Sequence, residues 1–204
     1  MSSPKLWADR DSDHPRPVGG YEKILGRTGE ALRPSREHWS RLASQLSRTF
    51  RELHTFPLDC ARALGVQEAP LQIPSQMLDR YLSGAVELPP KLGGPPALCH
   101  ADLKGEHFIL DDHGRLQGSI DWSDICITDP AVDFAYTFMW FRQEFVRSVI
   151  EHYPACDRDG LLRRSAFIGR CHTLIGLGRK LSGGPYGPMP LLKTQLDWAF
   201  RQDA

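Results

Sequence analysis

The stretch from His100 to Asp133 constrains the fold more than any other part of the chain. In 34 residues it holds eight acids (Asp102, Glu106, Asp111, Asp112, Asp121, Asp124, Asp129 and Asp133) against only Lys104 and Arg115. Such crowding is costly unless water, a cation or backbone donors relieve it. Short apolar runs alternate with the acids. Ala97-Leu98-Cys99 leads into His100, His107-Phe108-Ile109-Leu110 follows, and Leu116 to Ile120 comes after the turn cluster Asp111-Asp112-His113-Gly114. These read as three short strands, the last two folded into a hairpin. A hairpin that returns 116–120 onto 107–110 brings Asp102, His107 and Asp121 to one end. Two carboxylates and an imidazole suit a divalent cation with open positions, and a further carboxylate nearby could act as a base.

Helical patterning surrounds this segment. Trp39, Leu42, Leu46, Phe50 and Leu53 step by three and four residues, which marks one face of a helix over 35–54, with Ser35 as N-cap and Pro57 as its end. Shorter helices are expected at 58–64 and 74–84. A stiff loop runs from Pro89 to Pro96, and helices are expected at 130–141, 143–153, 159–181 and 189–202. The Gly/Pro loop Ser182 to Pro188 separates the last two. Residues 1–20 have linker composition and read as a flexible N-terminal segment, with one domain over 21–204. The class is α+β, mainly helical.

Composition narrows the function. The 204 residues suffice for about one domain. Lys+Arg and Asp+Glu are both 25, so the net charge is zero. That excludes a bulk basic nucleic-acid binder and an acidic tail protein. No apolar run approaches the roughly 18 residues of a membrane span, and the first twenty residues carry no secretory signal. The five cysteines are odd in number and contain no CxxC. They read as reduced thiols of a cytoplasmic protein.

Taken in order, the landmarks show a resemblance. His100-x-Asp102-x-x-x-x-His107, then Ile120-Asp121-Trp122, then Asp129-Pro130-x-x-Asp133-Phe134-Ala135, resembles the aminoglycoside phosphotransferase family, which is related to choline kinases and protein kinases. Tyr21-Glu22-Lys23-Ile24-Leu25-Gly26 resembles that family's hinge, and Leu53-His54-x-Phe56-Pro57 its helix end. The resemblance implies a protein-kinase-like C-terminal lobe with a small catalytic β-hairpin. It implies transfer of the γ-phosphate of ATP, with Mg2+, to a hydroxyl of a small molecule. Asp102 matches the catalytic aspartate that orients the hydroxyl. Lys104 matches a lysine that neutralises the moving phosphoryl group, and His100 the residue bracing the loop. His107 and Asp121 match the metal ligands. His107 replaces the usual asparagine, and as a softer donor it leaves room for Mn2+. Glu22, Lys23 and Ile24 would offer backbone groups to adenine. Asp129 and Asp133 match positions that tie the catalytic loop to the following helix.

The hinge resemblance begins at Tyr21, so most of the N-terminal lobe that carries the family's ATP clamp is expected to be absent. Two readings stay open at this level. One is a phosphotransferase whose acidic belt favours a cationic acceptor. The other is a non-catalytic, pseudokinase-like remnant or interaction module, in which self-association or a partner covers the face of the missing lobe.

Overall fold

The structure is a computed structural model. It describes residues 7–9, 18–20, 23–32, 36–69, 93–184 and 187–200. The expected helix over 74–84, Ser35, Glu22 and the first half of the loop Pro89–Pro96 lie outside the described residues.

Apart from the short α1, which the sequence reading does not expect, the described helices form where the sequence periodicity places them. α1 (Gly29–Leu32) leads to α2 (Arg36–His54) and α3 (Leu58–Ala63). Beyond the strands come α4 (Ala131–Trp140), α5 (Gln143–His152), α6 (Arg158–Leu181) and α7 (Met189–Phe200). α6 is capped by Asp157, whose side chain accepts from the Gly160 N–H at 2.8 Å. α4 packs on α6 and α7, and α2 packs on α5. The core between them is aromatic. Phe50, Phe134, Phe138, Phe145 and Phe167 are each under 2% exposed except Phe167, at 2%. Each contributes roughly 1.5–3 kcal/mol over leaving it in water.

Among the described residues, seven short strands make three small antiparallel sheets. β1 (Trp7–Asp9) pairs with β2 (Val18–Gly20), where the composition of residues 1–20 suggests a loose segment. β3 (Arg27–Thr28) borders the hairpin of β5 (Phe108–Leu110) and β6 (Leu116–Ser119), in the order β3-β5-β6. β4 (Ala97–Cys99) pairs with β7 (Cys126–Thr128) in the register Ala97↔Thr128 and Cys99↔Cys126. β7 escapes the sequence reading because its three residues follow an acidic turn and show no alternation.

Local chemistry sets the hairpin. Asp111 Oδ1 accepts from the backbone N–H groups of His113 and Arg115, both at 2.9 Å. Gly114 turns the chain with φ +68°. These donors hold the Asp111 carboxyl below its ordinary range. Lys23 to Leu25 form no strand, and the extended run starts at Arg27. This segment nevertheless crosses the hairpin, because a Cβ on Gly118 would lie 2.9 Å from Ile24 Cδ1. Among the described residues, no helix is long and apolar enough to cross a membrane.

Candidate active site

The loop after β4 carries the first part of the site. Ala101 sits in the left-handed region at φ +64°, and its neighbours on both sides are anchored. His100 is fully buried, and Leu103 is 2% exposed in the core. Between them Asp102 is pushed outward. A 3-10 turn over Gly105–His107 then runs directly into β5. The His107 backbone carbonyl accepts from the Ile120 N–H at 3.0 Å and closes the hairpin. Asp121 follows β6, also left-handed at φ +61°.

This geometry brings Asp102, His107 and Asp121 together. One ligand-type atom from each lies within 4.8 Å of the other two. His107 Nδ1 donates to the Asp102 carbonyl at 2.6 Å, which fixes the tautomer and leaves the Nε2 lone pair free. That Nε2 is 3.4 Å from Asp121 Oδ2. Lys104 Nζ sits 2.9 Å from Asp102 Oδ2 and 3.5 Å from Glu106 Oε1.

The electrostatics separate the two carboxylates. Burial pushes the Asp102 carboxyl above its ordinary range, against the pull of Lys104. The Ser123 hydroxyl donates to Asp121 Oδ1 at 2.8 Å and holds that exposed carboxyl below its ordinary range. Burial works against the Lys104 charge, but the hydrogen bond and charge of Asp102, with Glu106, outweigh it and raise its pKa. His100 acts at the loop and not at its surface. Its Nε2–H donates to the Ile120 carbonyl at 3.1 Å, just before Asp121, and its Nδ1 is buried without a partner. Burial pushes this imidazole below its ordinary value, against the opposing charge of Asp133. Trp122 leans over it, ring centroids 4.4 Å apart.

Behind the loop lies a second cluster. Asp133 on α4 is fully buried and accepts from the N–H groups of His100 at 3.1 Å and Ala101 at 2.8 Å. It also accepts from His54 Nε2 at 3.0 Å, while His54 Nδ1 accepts from the Tyr153 hydroxyl at 3.0 Å. The helix-end histidine thus bonds side chains, not the backbone carbonyls that its position at the end of α2 suggests. Burial pushes the Tyr153 hydroxyl up to about 12 and the Cys99 thiol far above its ordinary range. The trio His54, Cys99 and Asp133 also has ligand-type atoms within 4.8 Å. With a protonated thiol and the histidine engaged on both nitrogens, it is a brace and not a metal centre. Asp129 accepts from Gly94 N–H at 2.6 Å, Ala131 N–H at 2.9 Å and Arg164 Nε at 2.8 Å.

Two hollows adjoin the loop, with walls drawn from segments far apart in the sequence. The larger, about 280 Å³, is lined by Lys104, Glu106, Tyr136 and Met139, among others. The smaller, about 140 Å³, is lined by Trp39, Phe141, Arg142 and Trp198, among others. Glu30, Trp140 and Leu191 line both. Their residues come from α1, α2, the loop after β4, α4 and α7, and only the folded chain assembles them. Of the expected hinge, Glu22 lies outside the described residues, Lys23 is exposed, and Ile24 lies over Gly118 of β6.

A loop acid, a paired lysine and a hairpin that presents a second acid define a kinase-like phosphotransferase scaffold. The chain belongs to the phosphotransferase enzyme family, whose family model matches residues 4–167. Among curated proteins, an uncharacterised protein of Bacillus subtilis (strain 168), YcbJ, is 33% identical over 60 residues. That match spans 29% of this chain and only 20% of the relative's length. Among solved structures, the GDP complex of aminoglycoside 2'-phosphotransferase-IIIa aligns with a TM-score of 0.69 at 22% identity, covering 96% of this chain and 73% of that one. The apoenzyme of macrolide 2'-phosphotransferase MphH from Brachybacterium faecium aligns with a TM-score of 0.59 at 17% identity, covering 97% and 74%. At these identities the structural matches establish the kinase-like fold.

Proposed function

We propose that this chain transfers the terminal phosphoryl group of ATP to a hydroxyl of a small molecule. The observation that carries the reading is the convergence of Asp102, His107 and Asp121 on one hairpin, within 4.8 Å of one another. The acceptor hydroxyl meets Asp102, which its burial makes a stronger base than an exposed carboxylate. The acceptor O–H gives its proton to Asp102, a bond forms from that oxygen to the γ-phosphorus, and the bond to the bridging oxygen breaks. A nucleoside diphosphate leaves. Lys104, next to Asp102, balances charge on the moving group.

Two carboxylates and a His107 Nε2 freed by its Nδ1 hydrogen bond fit a divalent ion such as Mg2+ or Mn2+. His107 and Asp121 would hold it, where it would tether and neutralise the nucleotide phosphates. The backbone of Lys23 and Ile24 would meet the base, as the hinge resemblance implies. The GDP bound to the aminoglycoside phosphotransferase neighbour makes GTP the natural second donor to try.

The test is thermal unfolding with MgATP or MgGTP, for the parent and for Asp121→Asn. A nucleotide at about 100 times its Kd stabilises the parent by roughly 2.7 kcal/mol, and the variant loses that gain. No shift with either nucleotide at millimolar concentration, with magnesium or manganese, overturns the reading.

A further inference from the structure

One side of α2 carries a row of cations. Arg41, Ser44, Arg48 and Arg51 follow one another at three- and four-residue steps, so they share a helix face, and all four are exposed. With Gln45 and Ser47 of the same helix and His152 at the end of α5, they line a hollow of about 400 Å³. It shares no residue with the two hollows beside the loop after β4, nor with the front trio Asp102, His107 and Asp121. Among the described residues, no carboxylate lines it.

Three guanidiniums in one hollow repel one another, and the protein offsets them little. Arg48 Nε is 3.8 Å from Glu52, an exposed pair of small worth. Arg41 and Arg51 make no ion pair among the described residues. Ser47 supplies an independent sign of a missing ligand. It is 2% exposed and lines the hollow, yet its hydroxyl has no hydrogen-bond partner among the described residues. Thr49 on the same helix, and Ser165 and Thr173 on α6, each donate to the carbonyl four residues back. Ser47 does not, and a buried hydroxyl left idle is costly unless something else meets it. Gln45 Oε1 accepts from the Leu116 N–H at 3.1 Å, which leaves its NH2 group as a further donor.

We infer that this hollow is an anion site that reads a short chain of phosphates. One phosphate carries too little charge to offset three guanidiniums, whereas two or three linked phosphates match them. Each phosphate accepts in several directions, so it takes a guanidinium and a serine hydroxyl together, which a flat carboxylate does less well. Arg41 and Arg48 stand two turns apart, about 10 Å along the helix, which suits an extended chain of such groups. Binding here needs neither a divalent metal nor the front trio, and it holds whether or not the protein transfers phosphoryl groups.

The chain of phosphates comes either from free polyphosphate or from the tail of a nucleotide. Calorimetric titration of the full chain in metal-free, low-salt buffer uses tripolyphosphate, pyrophosphate, ADP, sulfate and citrate. Tripolyphosphate should saturate below about 1 mM, with sulfate and citrate weaker by about tenfold or more. The double variant Arg41→Gln with Arg48→Gln should weaken tripolyphosphate by about tenfold or more at an unchanged melting temperature, because both side chains are exposed. Ser47→Ala should weaken it by about threefold, and Asp121→Asn should leave it intact. ADP binding more tightly than pyrophosphate, and through the same arginines, assigns the site to nucleotide tails. ADP binding no more tightly assigns it to free polyphosphate. No saturable binding of tripolyphosphate overturns the inference, as does citrate binding equally tightly, which marks simple attraction of charge. Undiminished binding in the double arginine variant, or loss of binding in Asp121→Asn, also overturns it by placing the anion elsewhere.

Discussion

Two clusters of acids and imidazoles lie on opposite sides of the His100–Asp102 loop, built from the same residue types and put to opposite use. The rear cluster, Asp133 with His54 and Asp129 with Arg164, is buried and saturated. Asp133 accepts from three donors and Asp129 from three. The front cluster, Asp102, His107 and Asp121, keeps unused lone pairs, and Asp121 stands exposed. Burial with full hydrogen bonding makes an acid structural, and partial burial with free valences leaves it available for chemistry. Sequence spacing alone does not distinguish the two.

The contrast can be broken from either side. The largest effect falls at the rear. Asp133→Ala leaves the N–H groups of His100 and Ala101 and the ring N–H of His54 without their acceptor. It should cost about 3–5 kcal/mol of stability in urea denaturation. A loss below about 1 kcal/mol would show that the rear cluster does not hold the loop. At the front, Asp102→Asn should lower phosphoryl transfer by roughly 10²–10⁴-fold while changing stability by less than about 1 kcal/mol, since it removes a carboxylate that burial disfavours. Equal losses of stability at Asp102 and Asp133 would erase the distinction.

The smallest effect is a pH dependence away from both clusters. Burial, together with the charges of Arg179 and Lys104, pushes the His172 imidazole below its ordinary value. In the folded protein it therefore resists protonation. Between about pH 6.5 and its lower folded pKa, the unfolded chain binds the proton first, so stability falls as the pH drops through that window and is flat above it. His172→Gln should flatten this fall, read as melting temperature from pH 7 to pH 5. An unchanged slope would assign the acid sensitivity to other groups.

Much of this was legible in the sequence. The three-and-four spacing of Trp39 to Leu53 marks α2, and the order of the His-x-Asp loop, the hairpin and Ile120-Asp121-Trp122 marks the front cluster. Such signals are local, which is why they survive in one dimension. The missed features are those that tertiary contacts create. β7 has three residues and exists by pairing with β4. His54 finds its partners 79 and 99 positions away, at Asp133 and Tyr153. Within the acidic belt of 100–133, Asp129 and Asp133 turn inward as the family resemblance implies, although composition alone does not separate them from the other acids. The aromatic hollow draws on elements from Gly29 to Trp198, and no window of sequence contains it.

Gly105 gives these separate parts a mechanical link. A Cβ at this position would lie 2.7 Å from the ring of Trp140, so the indole packs directly on the backbone of the loop after β4. That backbone is two residues from His107, whose Nδ1 in turn grips the Asp102 carbonyl. The indole therefore works like a pawl against a ratchet tooth: it cannot swing toward the loop without displacing the turn that sets Asp102 and His107. A shift of Trp140 is thus felt at Asp102 and His107 through rigid contact, with no intervening loop to absorb the motion. The packing of the indole and the alignment of the acids become one adjustment, made at the only residue type small enough to let the ring and the loop touch.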